Sequence, residues 1–214
     1  MQENNELKNL RLNYERDQLL ESNISNNPFV QFRLWFDLVV QAEIIEPNAM
    51  TIATATKDGI PSARMVLLKE FDETGFTFFT NYGSRKGKEI SENPFASVLF
   101  WWKEIERQVR IEGKIEKISR EESREYFNVR PLKSRYGALA SNQSEVVANR
   151  EALEKRFSEL EKQFGDNPPM PENWGGYKLI PNKFEFWQGR QDRLHDRICY
   201  EKINGEWKIY RLQP

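Results

Sequence analysis

The chain has 214 residues, with 32 Lys and Arg against 33 Asp and Glu, a formal net charge of −1, and 13% aromatic residues. That balance excludes a global positive field for wrapping nucleic acid, and one cysteine with one histidine excludes an intramolecular disulfide and any Cys-based or multi-His metal site. A polar, acidic start unlike a signal peptide and the lack of a long apolar run imply a soluble, cytoplasmic protein with no membrane partner. No nucleic-acid partner or metal is expected, with only carboxylate sites left open to a hard cation.

Residues 1–26 are polar, weakly periodic, and read as a mobile arm with a short helix around Leu7–Leu20. Asn27-Pro28 opens a helix, with asparagine as N-cap and proline in the first position. Phe29, Phe32, Phe36, Val39 and Val40 form its buried stripe. Strands follow at Met50–Thr56, Ala63–Phe71 and Phe76–Thr80, separated by the turns Lys57-Asp58-Gly59 and Asp72-Glu73-Thr74-Gly75. A basic loop and a short helix ending near Asn93-Pro94 lead to strands at Ala96–Trp102 and Arg107–Ile118. Ser119 and Glu122 form a capping box for a helix over Arg120–Val129, which Arg130-Pro131 ends. Glu145–Phe164 reads as a helix with Leu153, Phe157, Leu160 and Phe164 in one stripe and Gly165 as its stop. The proline-rich linker Asn167–Pro171 precedes strands at Tyr177–Ile180, Lys183–Trp187, Arg197–Ile203 and Glu206–Leu212. Asn204-Gly205 joins the last two as a tight hairpin. Short turns without strand–helix alternation predict an α+β fold, mainly β: an antiparallel barrel with helices at its edges, one domain over 27–214.

Four stretches carry candidate chemistry. In Arg64-Met65-Val66-Leu67-Leu68-Lys69, alternation sets Arg64, Val66 and Leu68 on one face and Met65, Leu67 and Lys69 on the other. If both faces are covered, each cation needs an anionic partner, either a carboxylate or a ligand. In Thr80–Lys88 a strand enters a glycine turn, Ser84 can cap the next helix, and Arg85 and Lys86 occupy its first turn. The helix dipole disfavours cations there, so they fit best if they and the helix N–H groups converge on a phosphate. Neither GxGxxG nor GxxxxGK[ST] is present. Tyr126, Arg130 and Ser134, spaced by four, suit a second anion, while Gln108, Gln143 and Ser144 offer uncharged donors. Finally, Phe186 to Arg197 surrounds His195 with three arginines, two aspartates and Trp187, suited to a planar anionic molecule. Histidine is the side chain that titrates nearest neutral pH.

In these motifs (Arg64 to Lys69, Thr80-Asn81-x-Gly83-Ser84-Arg85-Lys86, Glu106-Arg107-Gln108-Val109, Arg130-Pro131-x-x-Ser134, Phe186-Trp187-Gln188-Gly189 and Arg193 to Arg197) the chain resembles the pyridoxamine/pyridoxine 5′-phosphate oxidases, flavoenzymes of vitamin B6 metabolism. The resemblance runs from Arg11 to Pro214. It implies a split β-barrel homodimer with FMN at the subunit interface, both chains contributing. Its implied FMN contacts are Arg64, Met65, Val66, Leu67 and Leu68; Phe79, Thr80, Arg85 and Lys86; and Gln108, Gln143, Ser144, Trp187 and Arg197. Lys69, Tyr126, Arg130 and Ser134 match the substrate phosphate clamp. Arg193 and His195 match the catalytic pair against the pyridine ring, with Leu194 between them, and Arg11 and Tyr14 match a lid. Two residues depart from the pattern: Phe79 stands where many relatives have tyrosine, and Asn13 where an acidic residue is commoner. The implied reaction oxidises pyridoxamine or pyridoxine 5′-phosphate to pyridoxal 5′-phosphate with dioxygen, releasing hydrogen peroxide. Two rivals stay open: a split-barrel flavin oxidase acting on a reduced phenazine precursor, and a non-catalytic carrier of FMN or pyridoxal 5′-phosphate.

Overall fold

The computed structural model describes Tyr14 and residues 17–214. Five α-helices occur among them: α1 (Pro28–Gln41), α2 (Arg85–Glu92), α3 (Arg120–Val129), α4 (Leu132–Ala140) and α5 (Arg150–Phe164). The nine strands are β1 (Ala49–Ala55), β2 (Pro61–Leu67), β3 (Glu70–Asp72), β4 (Gly75–Asn81), β5 (Phe95–Trp102), β6 (Arg107–Lys117), β7 (Trp174–Gln188), β8 (Asp196–Ile203) and β9 (Glu206–Arg211). Their order is β2-β1-β5-β6-β7-β4-β3, with β8 paired to β7 and β9 to β8. The α+β, antiparallel class expected from the sequence is the class observed.

Local chemistry explains the element ends. Asn27 caps α1 by accepting from the Phe29 and Val30 amides, and Ser119 with Glu122 completes the reciprocal capping box of α3. Asn204 (φ 52) and Gly205 (φ 91) take the left-handed geometry that a two-residue hairpin requires. Asn149 caps α5, so that helix begins five residues later than the pattern at Glu145 suggested. Its apolar stripe is not buried; Phe157 instead meets Tyr136 of α4 edge-on at 5.8 Å. Helix α4 has no counterpart in the sequence pattern, because it lacks a strong apolar period.

Three other expectations change. Residues 17–20 are irregular, because the Asp17 carboxylate accepts the Gln18 amide and the Leu19 amide donates to Asp196 at 3.0 Å. The predicted helix therefore does not reach Leu20. Trp35, and not Val40, completes the buried face of α1 with Phe29, Phe32 and Val39; Val40 is 50% exposed, one position off that face. The stretch Ala63–Phe71 breaks into β2 and β3, whereas Tyr177–Ile180 and Lys183–Trp187 fuse into the single strand β7. Strand β2 ends the strand order, and its outer face is open at Met65 (61% exposed).

The chain divides into two compact units. One takes the described part of Met1–Pro47, Leu99–Ile111 and Asn182–Pro214; the other takes Asn48–Val98 and Glu112–Pro181. In the first, aromatics of α1 meet the strands: Phe32 lies 5.1 Å from Phe100, Phe29 5.3 Å from Phe184, and Trp35 5.2 Å from Phe186. In the second, Met50, Ile52, Phe76, Phe78, Val98 and Leu179 are fully buried. Each such side chain contributes roughly 1.5–3 kcal/mol on leaving water.

Candidate active site

The unit containing Asn48–Val98 and Glu112–Pro181 carries the cationic motifs. Alternation along β2 turns Arg64 inward. Its Nη1 donates to Thr54 Oγ1 at 2.6 Å and to the Ser62 carbonyl at 3.2 Å, and its Nη2 to Ser62 Oγ, with Glu89 Oε2 at 3.4 Å. Arg85 Nε donates to Glu89 Oε1 at 2.8 Å. Glu89 is 3% exposed and also accepts from Thr54 and Ser62. Burial alone would raise its pKa, but the hydrogen bonds from Ser62, Thr54 and Arg85, with the charge of Arg64, hold it at about 2. The carboxylate partner of Arg64 thus lies within the chain. Glu89 was not singled out from sequence, although its position four residues after Arg85 is an ion-pair spacing on a helix.

Ser84 caps α2, accepting from the Gly87 amide, and sets Lys86 inward at 6% exposure. Lys86 Nζ donates to Gln143 Oε1 at 2.9 Å, Thr80 Oγ1 at 3.0 Å and Ser84 Oγ at 3.3 Å, none of them a carboxylate. Burial, helped by the charge of Arg64, pushes its pKa down to about 8. Among the described residues Glu89 alone offsets Arg64 and Arg85, so the cluster carries a surplus of positive charge.

Beside it lies a cavity of about 430 Å³. Met65, Val66 and Leu67 line it together with Lys69, Phe79, Thr80, Lys86, Tyr126, Arg130, Ser134, Gln143 and Trp174. Phe79 stacks on Tyr126 at 3.9 Å and on Trp174 at 5.5 Å, and Arg130 stands 4.8 Å over the Trp174 ring. Arg130 Nη1 is buried without a hydrogen-bond partner among the described residues, and Lys69 forms no ion pair among them. A buried guanidinium nitrogen left unpaired is costly, so its position calls for an acceptor in the cavity. Of the residues assigned here by resemblance, Arg64, Arg85, Leu68 and Ser144 are not in the lining: Leu68 is core (4% exposed), and Ser144 is exposed with φ 75. Trp174 lines the cavity unanticipated, since nothing in its local pattern marks it.

The other unit holds the histidine motif. Register places Trp187 of β7 opposite Arg197 of β8. Arg197 meets Glu185 two-fold, Nε to Oε1 at 2.9 Å and Nη2 to Oε2 at 3.0 Å, and Arg110 Nη2 reaches the same carboxylate at 2.6 Å. Gln108 is half-buried on the face of β6 that carries Arg110. His195 packs 4.6 Å from Trp187, and Tyr14 meets both rings edge-on at 5.8 Å. A Cβ at Gly189 would fall 2.7 Å from the Tyr14 ring, so glycine makes room for that tyrosine. Burial and the charge of Arg193 lower the pKa of His195, against Asp196. Arg193 and Leu194 are exposed. Arg11 lies outside the described residues.

A family model described as pyridoxamine 5′-phosphate oxidase matches residues 36–164, and one described as the pyridoxine 5′-phosphate oxidase C-terminal dimerisation region matches residues 174–214. The pyridoxine/pyridoxamine 5′-phosphate oxidase of Thermosynechococcus vestitus is 56% identical over 205 residues, 96% of this chain and 97% of that protein. Among solved structures, PhzG from Burkholderia lata 383 in complex with tetrahydrophenazine-1-carboxylic acid superposes with a TM-score of 0.87 at 34% identity, covering 92% of this chain and 98% of that one. A pyridoxamine 5′-phosphate oxidase-related, FMN-binding protein of Nostoc punctiforme has a TM-score of 0.66 at 18% identity (86% and 97% covered), a likeness of fold. These place the chain in the split β-barrel α+β class.

Proposed function

The chain belongs to the pyridoxamine 5′-phosphate oxidase family and is an oxidoreductase of that type, and we propose that it converts pyridoxamine and pyridoxine 5′-phosphate to pyridoxal 5′-phosphate with FMN and dioxygen. When bound, FMN supplies the two-electron chemistry: substrate C4′ is oxidised, dioxygen becomes hydrogen peroxide, and the amine substrate releases ammonia on hydrolysis. The chain's own work is binding, orientation and charge. Arg64, Arg85 and Lys86, less the charge on Glu89, match the dianionic phosphate of FMN. Lys69, Arg130 and Ser134 hold the substrate phosphate, and Phe79 and Tyr126 give its surroundings flat walls. Trp187, Arg193 and His195 fix the pyridine ring, and Gln108, Gln143, Ser144 and Arg197 complete the flavin contacts. The match of residues 174–214 to a dimerisation region supports a homodimer; in this reading FMN lies at its subunit interface, with both chains contributing.

The observation that carries this reading is the partnerless Arg130 Nη1 in a cavity also lined by Lys69. PhzG was solved with a phenazine carboxylate, but two cations without an ion pair among the described residues suit a phosphate dianion better than a single carboxylate. Purified protein carrying FMN is expected to bleach anaerobically with pyridoxine 5′-phosphate, recolour in air and yield peroxide. Colour without bleaching would make it a carrier; turnover of a reduced phenazine carboxylate alone would move it to the other oxidase type; failure to take up FMN would end the proposal.

A further inference from the structure

We propose that the turn Arg190–His195 locks His195 as the neutral tautomer carrying its proton on Nε2, so that it meets the substrate as a hydrogen-bond donor and not as a proton acceptor. The Arg190 backbone N–H donates to His195 Nδ1 at 3.1 Å. A main-chain amide has only a proton to offer, so Nδ1 must present its lone pair and the ring proton resides on Nε2. A carboxylate facing Nδ1 would impose the reverse. Asp196, next in sequence, is committed elsewhere: it accepts from the Leu19 amide at 3.0 Å, Arg190 Nη1 at 3.1 Å and Arg211 Nη1 at 2.6 Å. Among the described residues, the rings of Trp187 and Tyr14 pack against the imidazole, and Arg193 adds a positive charge that opposes an imidazolium.

The backbone shows what this arrangement costs. Asp192 (φ 55) and Arg193 (φ 62) are consecutive non-glycine residues in the left-handed region, closed by the Leu194 amide on the Gln191 carbonyl at 3.0 Å. That strained turn is what aims the Arg190 N–H at the imidazole. On the reading of the site given above, an Nε2–H donor favours the anionic form of the ring oxygen, and any proton leaving the substrate goes to another acceptor. The tautomer itself does not depend on that reading.

The protein has one histidine, so its imidazole can be observed without assignment ambiguity. Long-range proton–nitrogen correlation on isotope-labelled protein, as purified with its cofactor, is expected to show near neutral pH one bare nitrogen, Nδ1, and one protonated nitrogen, Nε2. A bare Nε2, a mixed pair or an imidazolium would overturn the proposal. Asp192→Pro cannot hold φ 55 and is expected to give a mixed pair while melting as one folded species. Persistence of the single tautomer in that variant would overturn the role of the turn, and the unmodified protein decides the tautomer even if the variant does not fold. Pyridoxal 5′-phosphate is expected to shift the Nε2 proton signal and leave Nδ1 bare; a ligand-induced proton on Nδ1 would overturn the donor role. A protein with this spectrum but no turnover would refute the oxidase assignment alone.

Discussion

Around Glu89, side chains hold side chains; around His195, the backbone does the holding. Arg64, Arg85 and Lys86 have long, flexible stems, and their heads are fixed by Glu89, Thr54, Ser62 and Gln143 through charge-assisted or hydroxyl hydrogen bonds. His195 is short and planar, and one main-chain amide with two flanking rings fixes it. On the proposed function, the first region serves the strength of an anion's attraction and the second the direction of a single N–H. Charge changes should therefore act on affinity in the first region and on geometry in the second.

The largest effect tests that division at its sharpest. Replacing both Lys69 and Arg130 by methionine removes two charge-assisted contacts, each worth roughly 1.5–3 kcal/mol. The expected loss in kcat/KM for pyridoxine 5′-phosphate is about 10²- to 10⁴-fold, with the FMN absorbance of the purified variant unchanged. Steady-state kinetics beside a flavin spectrum reads both. A loss below about tenfold would mean that the cavity does not bind the substrate phosphate.

Lys86 gives a smaller, pH-dependent effect. Its pKa is depressed from 10.5 to about 8, so its charge is present below about pH 8 and lost above it. A bound phosphate raises that pKa, so FMN affinity is expected to fall only at or above pH 8. Stability of the FMN-free protein runs the other way, because the desolvated charge disappears as pH rises from 8 toward 10.5. Lys86→Met should weaken FMN binding by about 10- to 100-fold at neutral pH and abolish the alkaline fall in a fluorescence titration. An unchanged alkaline limb in the variant would assign it to another group.

The same contrast explains what was legible in the sequence. Caps, hairpin and strands were readable because Asn27, Ser119 with Glu122, and Asn204-Gly205 act through local geometry. Cations of the wrong sign at the start of α2 stood out by the same local logic; folding pairs Arg85 with Glu89 and gives Lys86 the neutral acceptors Gln143, Thr80 and Ser84. Glu89 was hidden because its meaning lies in Arg64, 25 residues away on β2 and adjacent only after folding. Trp174 was hidden similarly: its ring acquires a role only when Phe79 and Arg130 arrive beside it. The lock on His195 could not be read at all, since a backbone amide has no residue type.

The weakest effect concerns Asp17, three residues from Tyr14. Arg107 is buried and donates to Asp17 Oδ2 at 2.5 Å and to Gln188 Oε1 at 2.8 Å, with Trp35 4.4 Å away under its guanidinium. The Asp17 side chain is 52% exposed, so solvent screening limits the pair to about 1 kcal/mol or less. Asp17→Asn leaves Arg107 supported by Gln188 and Trp35, which keeps the fold intact while loosening the segment that brings Tyr14 to His195. If Tyr14 orders the approach to the ring, as the proposed function has it, the expected result is a rise in KM of up to about fivefold for either phosphorylated substrate at unchanged kcat, since Tyr14 packs on Trp187 and His195. Raising the salt concentration should bring the unmodified protein toward the variant, since a half-exposed pair is screened. The buried contacts of Lys86 should resist the same salt. Equal salt sensitivity of the two would erase the distinction between a region held by buried charge and one held by backbone and rings.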